Sequence, residues 1–516
     1  MTARVLVREV IADAGVELLR KRFDVDVDTE SPLEEIIDRY DALIVRSATK
    51  VTADVIARGA RLKVIGRAGV GVDNVDVDAA TRRGIVVANA PESNVVSAAE
   101  HTIGLLLALA RNIPQAHAAL VEGRWERSKW GGVELADKTL GMLGFGRIGR
   151  QVARRALGLQ MKVLAYDPFV SVERFKELGV ESGTFDEVLA RAEFLTLHLP
   201  LNDDTRNAID ADAIGRMLDG VRIVNAARGE LVDEPALIAA LESGKVAGAA
   251  IDVYVQEPYS GPLLAAPNVV VTPHLAASTE EAQDRAGVVV AEQVAAALEG
   301  GLVSNAVNIP TIGAEDLEVL GPYVPLVAKL GRLAMELAGG DVRRITIEVY
   351  GELADHDTRL LTVAALNGAF QGHTDQPVNY VNAPVVAADR GIDVSEEKRR
   401  SSRDYTNLVA VSADDVRVAG TTIGTDARHF LVSALGFDLE MELAPRMALL
   451  LYDDIPGVIG RIGTLFGAAG VNIANMTVSR NRAGGKALMA LSIDSPAPPE
   501  LVAKLREGMD EAYLIS

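Results

Sequence analysis

The sequence predicts an α/β protein in which two parallel-sheet domains are followed by two smaller α+β domains. Three observations carry that prediction. Short apolar runs alternate with helical stretches over 1–98 and again over 139–299. Strands of the second series are apolar almost end to end, as strands buried on both faces must be. The final stretch runs β-α-β-β-α-β, the split-βαβ order.

Taken in order, 5–7, 42–45, 63–66 and 85–87 read as strands, separated by helical stretches such as 11–22 and 32–40. A long apolar helix spans 95–111. Strands follow at 139–144, 162–166, 194–199, 221–226, 248–252 and 268–272, then a helix at 279–299 and an exit segment at 304–310. The character changes from about 311, where 346–350 alternates as a half-exposed strand should. The segment 388–406 is dense in charge, with Glu396-Glu397-Lys398-Arg399-Arg400, and reads as a solvated helix face. The tail reads as strand 447–453, helix 457–469, strands 471–479 and 487–493, helix 498–509 and strand 512–515.

A chain of 516 residues exceeds one ordinary core. A hydrophobic fraction of 49% fills several cores, and 24% charge suits a soluble protein. The net charge is −20, so phosphate backbones and anionic membranes would repel it and neither is expected as a partner. An anionic substrate needs a local cluster of Arg and Lys. The chain has no cysteine, which removes disulfides, thiolate nucleophiles and thiolate metal sites; no metal is expected. No apolar run approaches the roughly 18 residues of a membrane span. Arg4, Arg8 and Glu9 interrupt the first apolar stretch, unlike a signal peptide, so the expected location is cytoplasmic.

Gly144-Phe145-Gly146-Arg147-Ile148-Gly149 is a G-x-G-x-x-G set between a strand and a helix. There the first glycine permits the turn, the second lets backbone approach a pyrophosphate, and Gly149 lets helix pack on strand. The phosphates meet a helix N-terminus. Asp167 ends the next strand, where an acid binds ribose hydroxyls and repels a 2′-phosphate, favouring NAD over NADP. Pro200, Ala226 and Asp252, at later strand ends, complete the candidate NAD contacts.

Oxidising a hydroxy acid needs a cation for the carboxylate, a base for the hydroxyl proton and a partner for the base. Arg228 supplies a bidentate cation, His274 a base whose ordinary pKa lies near neutrality, and Glu257 a carboxylate to orient it.

With these residues in order, the chain resembles the D-isomer-specific 2-hydroxyacid dehydrogenases from about residue 40 to 310. The resemblance implies two Rossmann-like domains: a discontinuous substrate-binding domain, 1–98 with 290–308, and an NAD-binding domain, 99–289. It implies catalytic roles for Arg228, Glu257 and His274, with an active site in the cleft between the domains. Within the family, Val45-Arg46-Ser47-Ala48-Thr49-Lys50-Val51-Thr52, the Gly66–Asp76 stretch and Trp125-Glu126-Arg127-Ser128-Lys129-Trp130 are similar to the branch that oxidises D-3-phosphoglycerate to 3-phosphohydroxypyruvate, the first step of L-serine synthesis. Arg46 with Ser47, and Arg127 or Lys129 from the interdomain side, are then candidates for the phosphate. Gly69 and Gly71 are candidate amide donors to the carboxylate, and Asn94 is a further contact. A hydroxypyruvate or glyoxylate reductase of the same family is the alternative. A non-catalytic NADH-sensing binding protein is a more distant one.

Residues 311–440, through Tyr405-Thr406-Asn407-Leu408, resemble the intervening domain of that branch's long form, which can hold a second anion; Arg428, His429 and the 398–403 cluster are candidates. Residues 445–516 resemble a ferredoxin-like ACT domain, carried by Tyr452-Asp453-Asp454-Ile455-Pro456-Gly457 and Gly470-Val471-Asn472-Ile473. Such domains pair between subunits and bind L-serine, which implies a homo-oligomer, dimer or tetramer. Tyr452, Asp454 and Asn472 are then the effector contacts.

Overall fold

The computed structural model describes residues 2–515 apart from 302, 311, 312, 375, 376 and 403. Among these residues the chain forms four sheets. The first has five parallel strands in the order Asp24–Val27, Arg4–Val7, Ala42–Val45, Val64–Arg67, Val86–Ala88. The second has seven, also parallel, in the order Val269–Val271, Val246–Ile251, Val221–Asn225, Phe194–Leu197, Thr139–Leu143, Lys162–Tyr166, Glu181–Ser182. In each, the strand order reverses beside the first strand, which opens a crevice at the carboxyl ends. Asp24–Val27 and Glu181–Ser182 had no apolar run to announce them. Both are edge strands, and an edge strand tolerates charge that an inner one cannot.

Helices Val95–Arg111 and Glu280–Leu298 link the two domains. The first packs Leu105, Leu106 and Leu109 against Leu140, Met142 and Phe145 of the second domain. The other returns to the first sheet, burying Ala286, Val290, Ala291, Val294 and Ala295 against Val5, Val7, Ile44 and Val64. The chain thus rejoins the first sheet at Ala286, slightly before residue 290. The crossings are tied together by the hydroxyls of Ser97 and Thr279, 2.8 Å apart, and by Arg285 Nε donating to the Ser93 carbonyl at 2.9 Å.

The third sheet runs Asp393–Arg399, Arg344–Gly351, Asn407–Ala413, Val416–Ile423, Arg428–Ala434, Phe437–Glu442; its first pair is parallel and the rest antiparallel. Here the structure corrects the sequence reading of 388–406 as a helix face. Asp393–Arg399 is an edge strand whose Glu396 accepts hydrogen bonds from the hydroxyls of Thr358 (2.5 Å) and Thr362 (2.6 Å). The charges therefore satisfy a sheet edge and its neighbouring helix. The fourth sheet, Ile473–Arg480, Lys486–Ile493, Met447–Asp453, Glu511–Ile515, is antiparallel, with helices Val458–Ala468 and Pro499–Gly508 on one face. On its other face Met447, Leu449, Leu488 and Ala490 join the core beneath the third sheet.

That shared core is built on two helices, Val324–Leu337 and Arg359–Phe370, that meet at glycines. A Cβ on Gly331 would strike the Ala365 carbonyl oxygen, and one on Gly368 the Ala328 carbonyl oxygen. Gly368→Ala is therefore expected to destabilise the intervening domain by about 1–3 kcal/mol. A lowered urea midpoint measured by intrinsic fluorescence, with NADH affinity unchanged, would register it.

Candidate active site

The glycine-rich turn lies between strand Thr139–Leu143 and helix Arg147–Gly158. Gly144 has φ +95°, and a Cβ there would press on the His198 carbonyl. A Cβ on Gly149 would collide with the Gly144 carbonyl oxygen, so helix and strand meet at backbone distance. Gly146 has nothing within 4 Å of its would-be Cβ and opens on solvent, as close approach of a pyrophosphate requires. Asp167 accepts the Phe145 amide through Oδ2 (2.8 Å) and the Phe169 amide through Oδ1 (3.0 Å), so the acid also braces the turn. Arg147 pairs with Glu92 at 3.1 Å, across from the first domain. Ile148 is half-buried against the domain core, and Pro200 and Ala226 follow the strands Phe194–Leu197 and Val221–Asn225 on the same carboxyl edge. This cradle fits a dinucleotide.

Beyond it, His274 Nδ1 lies 2.9 and 3.0 Å from the two oxygens of Glu257. Tyr254 donates its amide to Glu257 at 3.2 Å, and His274 itself holds φ +55°. Arg228 is presented by a turn that buried Asn225 templates, accepting the Ala227 amide and donating to the Arg228 carbonyl. A Cβ on the next residue, Gly229, would collide with the Tyr254 backbone, which keeps the Arg228 and Glu257 segments in contact.

Asp252 is 0% exposed. Its carboxylate accepts hydrogen bonds from Thr272 Oγ1 (2.5 Å) and the amides of Leu275 (2.8 Å) and Ala276 (3.0 Å), and stands 3.2 Å from His101 Nε2. Burial alone would raise its pKa; those hydrogen bonds outweigh it and hold the group below the ordinary carboxylate range. Sequence reasoning placed Asp252 against the cofactor. In the structure its carboxylate also engages the loop that carries His274.

A cleft of about 890 Å³ gathers residues of both domains, including Arg46, Ser47, Lys50, Arg67, Asn94, Glu257 and His274. Asn94 Oδ1 is buried there without a hydrogen-bond partner. Arg67 is a site residue that sequence reasoning passed over, although it ends a parallel strand where cations for a ligand belong. Burial pulls its pKa below the ordinary arginine value, which Asp73 partly offsets and Arg228 reinforces. Gly69 does not offer a free amide, because its N–H donates to the Arg67 carbonyl at 2.8 Å. Gly71 lies against the Arg228 guanidinium, which is 3.6 Å from Asp73. Arg127 and Lys129 do not line this cleft. They belong to an exposed arm in which Lys129 stacks over Trp130 and pairs loosely with Glu126.

The three effector candidates are not brought together within one chain. Tyr452 is buried and Asp454 follows strand Met447–Asp453, where its Oδ2 accepts the Gly484 amide at 3.3 Å. Asn472 donates to Asp494 at 2.7 Å, at the sheet end where Met447 pairs with Ser492. Tyr452 and Asp454 share one end of that strand, and its length, about 20 Å, separates them from Asn472. In the third domain His429 Nδ1 is 3.1 Å from Lys329 Nζ and Arg428 pairs with Glu442; Arg403 of the 398–403 cluster lies outside the described residues.

The chain matches the NAD-binding domain of D-isomer specific 2-hydroxyacid dehydrogenases over 103–276, the D-3-phosphoglycerate dehydrogenase intervening domain over 319–432 and the ACT domain over 447–507. A D-3-phosphoglycerate dehydrogenase of Archaeoglobus fulgidus is 44% identical, with 99% of each chain covered. One from Bacillus subtilis is 39% identical, with 98% of each covered. The chain belongs to the D-3-phosphoglycerate dehydrogenase family. Solved structures agree over the catalytic part. The TT0316 protein of Thermus thermophilus covers 59% of this chain and 99% of its own, with 34% identity and TM-score 0.55. A glyoxylate reductase from Paecilomyes thermophila covers 59% and 98%, with 32% identity and TM-score 0.54. The family's cofactor is NAD. No helix among the described residues is long and apolar enough to cross a membrane.

If Asp252 holds the His274 loop, Asp252→Asn turns an acceptor oxygen into an N–H₂ that faces backbone donors. Turnover is expected to fall about a hundredfold through misplacement of the imidazole. Steady-state kinetics beside NADH fluorescence titration checks this; full turnover in the variant would refute it.

Proposed function

We propose that the chain oxidises D-3-phosphoglycerate to 3-phosphohydroxypyruvate with NAD, the first step of L-serine synthesis, in the cytoplasm. The observation that carries this reading is one cleft holding the His274–Glu257 pair together with Arg46, Lys50 and Arg67. A phosphorylated acid brings two anionic groups, and in a chain of net charge −20 this cluster gives the cleft a local positive field.

In this reading Glu257 fixes the tautomer: Nδ1–H points at the carboxylate, which leaves Nε2 to take the hydroxyl proton. The carboxylate then stabilises the imidazolium that forms. Arg228 binds the substrate carboxylate and polarises the C2 oxygen, while Arg46, Ser47 and Arg67 hold the phosphate. The unpaired Asn94 Oδ1 gives the cleft a further polar contact. Gly144, Gly146, Gly149 and Asp167 hold NAD, which when bound accepts the C2 hydrogen with its electron pair.

Initial rates of NADH oxidation with 3-phosphohydroxypyruvate and with unphosphorylated hydroxypyruvate test the reading. A preference for the phosphorylated acid of about a hundredfold or more in kcat/KM is expected from losing a charge-paired group. Equal rates would point to a reductase of unphosphorylated acids.

Helix Ile113–Val121 and the arm after it expose Ile113, Leu120, Val121 and Trp125, the last 82% exposed. A homo-oligomer would cover it. Pairing of two ACT domains would also set one chain's Asp454 near the other's Asn472, completing a site for L-serine between an acid for the ammonium and an amide for the carboxylate. Asp454→Ala is then expected to abolish inhibition by L-serine while leaving uninhibited turnover within about twofold, as a distant surface change should. Undiminished inhibition in the variant would remove Asp454 from the effector site.

A further inference from the structure

The segment 46–50 brings Arg46, Ser47 and Lys50 to the cleft, and two side chains from outside that segment hold its backbone from opposite polarities. Glu9 accepts the amides of Arg46 (2.9 Å), Thr49 (2.9 Å) and Ala48 (3.2 Å). Asn74 donates its Nδ2 to the carbonyls of Arg46 (2.7 Å) and Thr49 (2.6 Å). Both peptide groups at the two ends of the turn are therefore fixed, while Ser47 between them is engaged by neither clamp. The residue after Glu9 completes the arrangement: the Val10 carbonyl accepts Arg46 Nη1 at 3.2 Å, so one short segment holds both backbone and guanidinium of Arg46.

A carboxylate is an odd neighbour for an anion site. Its charge is felt at Arg67, and by Coulomb's law it opposes binding of a dianion. Burial would raise the Glu9 pKa, but the amide hydrogen bonds prevail and hold it below the ordinary range, so the group is charged at neutral pH. Such a placement is sensible where the geometry it enforces is worth more to binding than the repulsion it adds.

We propose that Glu9 and Asn74 are positioning residues that set the preference for a phosphorylated substrate, by holding Arg46 and Ser47 as a preformed phosphate cradle. The proposal rests on the phosphate reading of the cleft given above. A clamp with only a structural role would lower stability and leave the choice between substrates alone. A positioning role moves that choice.

The test uses the full chain and the variants Glu9→Gln, Glu9→Ala and Asn74→Ala. The glutamine can still accept from Arg46 and Thr49 but meets the Ala48 amide donor to donor. KM for 3-phosphohydroxypyruvate is expected to rise about tenfold in Glu9→Gln and further in Glu9→Ala. At saturation kcat stays within about twofold, and the preference over hydroxypyruvate falls by the factor that KM rises. Thermal melting and NADH fluorescence titration establish folding; should Glu9→Ala fail to fold, Glu9→Gln and Asn74→Ala decide. If the unmodified enzyme prefers the phosphorylated acid and the folded variants keep that preference, this proposal is overturned alone. If the unmodified enzyme shows no preference, the phosphate reading fails and the proposal falls with it.

Discussion

A carboxylate with no exposed surface must satisfy its lone pairs inside the protein, and Asp252 does so by collecting a loop. The amides of Leu275 and Ala276 and the Thr272 hydroxyl converge on it, and its carbonyl accepts the His274 amide at 2.9 Å. That convergence bends the chain so that His274 sits at positive φ and its ring meets Glu257. A non-glycine residue in that region is strained by about 1 kcal/mol or more, and persists only where its surroundings over-determine it. Everything else in the cleft is arranged around an imidazole placed in this way. The Arg228 turn packs against Tyr254 through Gly229, and the crossing helices bring Asn94 and Ser97 alongside.

Electrostatics supply the second organising constraint. The protein as a whole is acidic, yet Arg46, Lys50 and Arg67 face one opening, with Arg228 near Arg67. Burial does most to pull the Arg67 pKa down, and repulsion from Arg228 and Arg46 adds to it. Asp73 and Glu9 relieve part of that repulsion from the first domain. An anion in the cleft would relieve the rest, so the arrangement favours binding one.

What was legible in the sequence follows from locality. The glycine motif, Asp167 and the strand ends carrying Arg228, Glu257 and His274 are each encoded within a few residues, and the α/β order of the catalytic half is written as repeated apolar runs. The split-βαβ tail was legible for the same reason. Arg67 and Glu9 were not singled out as residues of the cleft. Their importance lies in which distant segments face them: Arg228, Arg46 and Glu9 for one, residues 46–49 for the other. The strand Asp393–Arg399 was hidden by charge that a sheet edge tolerates. The effector candidates were individually readable, but a linear motif does not reveal that strand Met447–Asp453 holds them at opposite ends of a sheet.

The regulatory tail is not a bead on a string. Its sheet has helices on one face and the core of the intervening domain on the other, so Leu449 and Leu488 belong to the same packed cluster as Leu330 and Leu361. Interiors packed in this way transmit displacement rather than absorbing it. The intervening domain in turn touches the first domain where Asn379 Nδ2 donates to the Gly84 carbonyl at 2.7 Å. Gly84 lies two residues before the strand Val86–Ala88, and the chain runs from that strand through Asn89 and Ser93 to Asn94 in the cleft. A continuous set of packed and hydrogen-bonded elements thus joins the sheet of the last domain to the wall of the active site. A rigid connection of this kind can carry a change at the tail only if some element along it has two arrangements. Among the described residues, the hydrogen bond at Gly84 and Ile309, which packs against both cores, make this link, narrower than the broad apolar core between the last two domains.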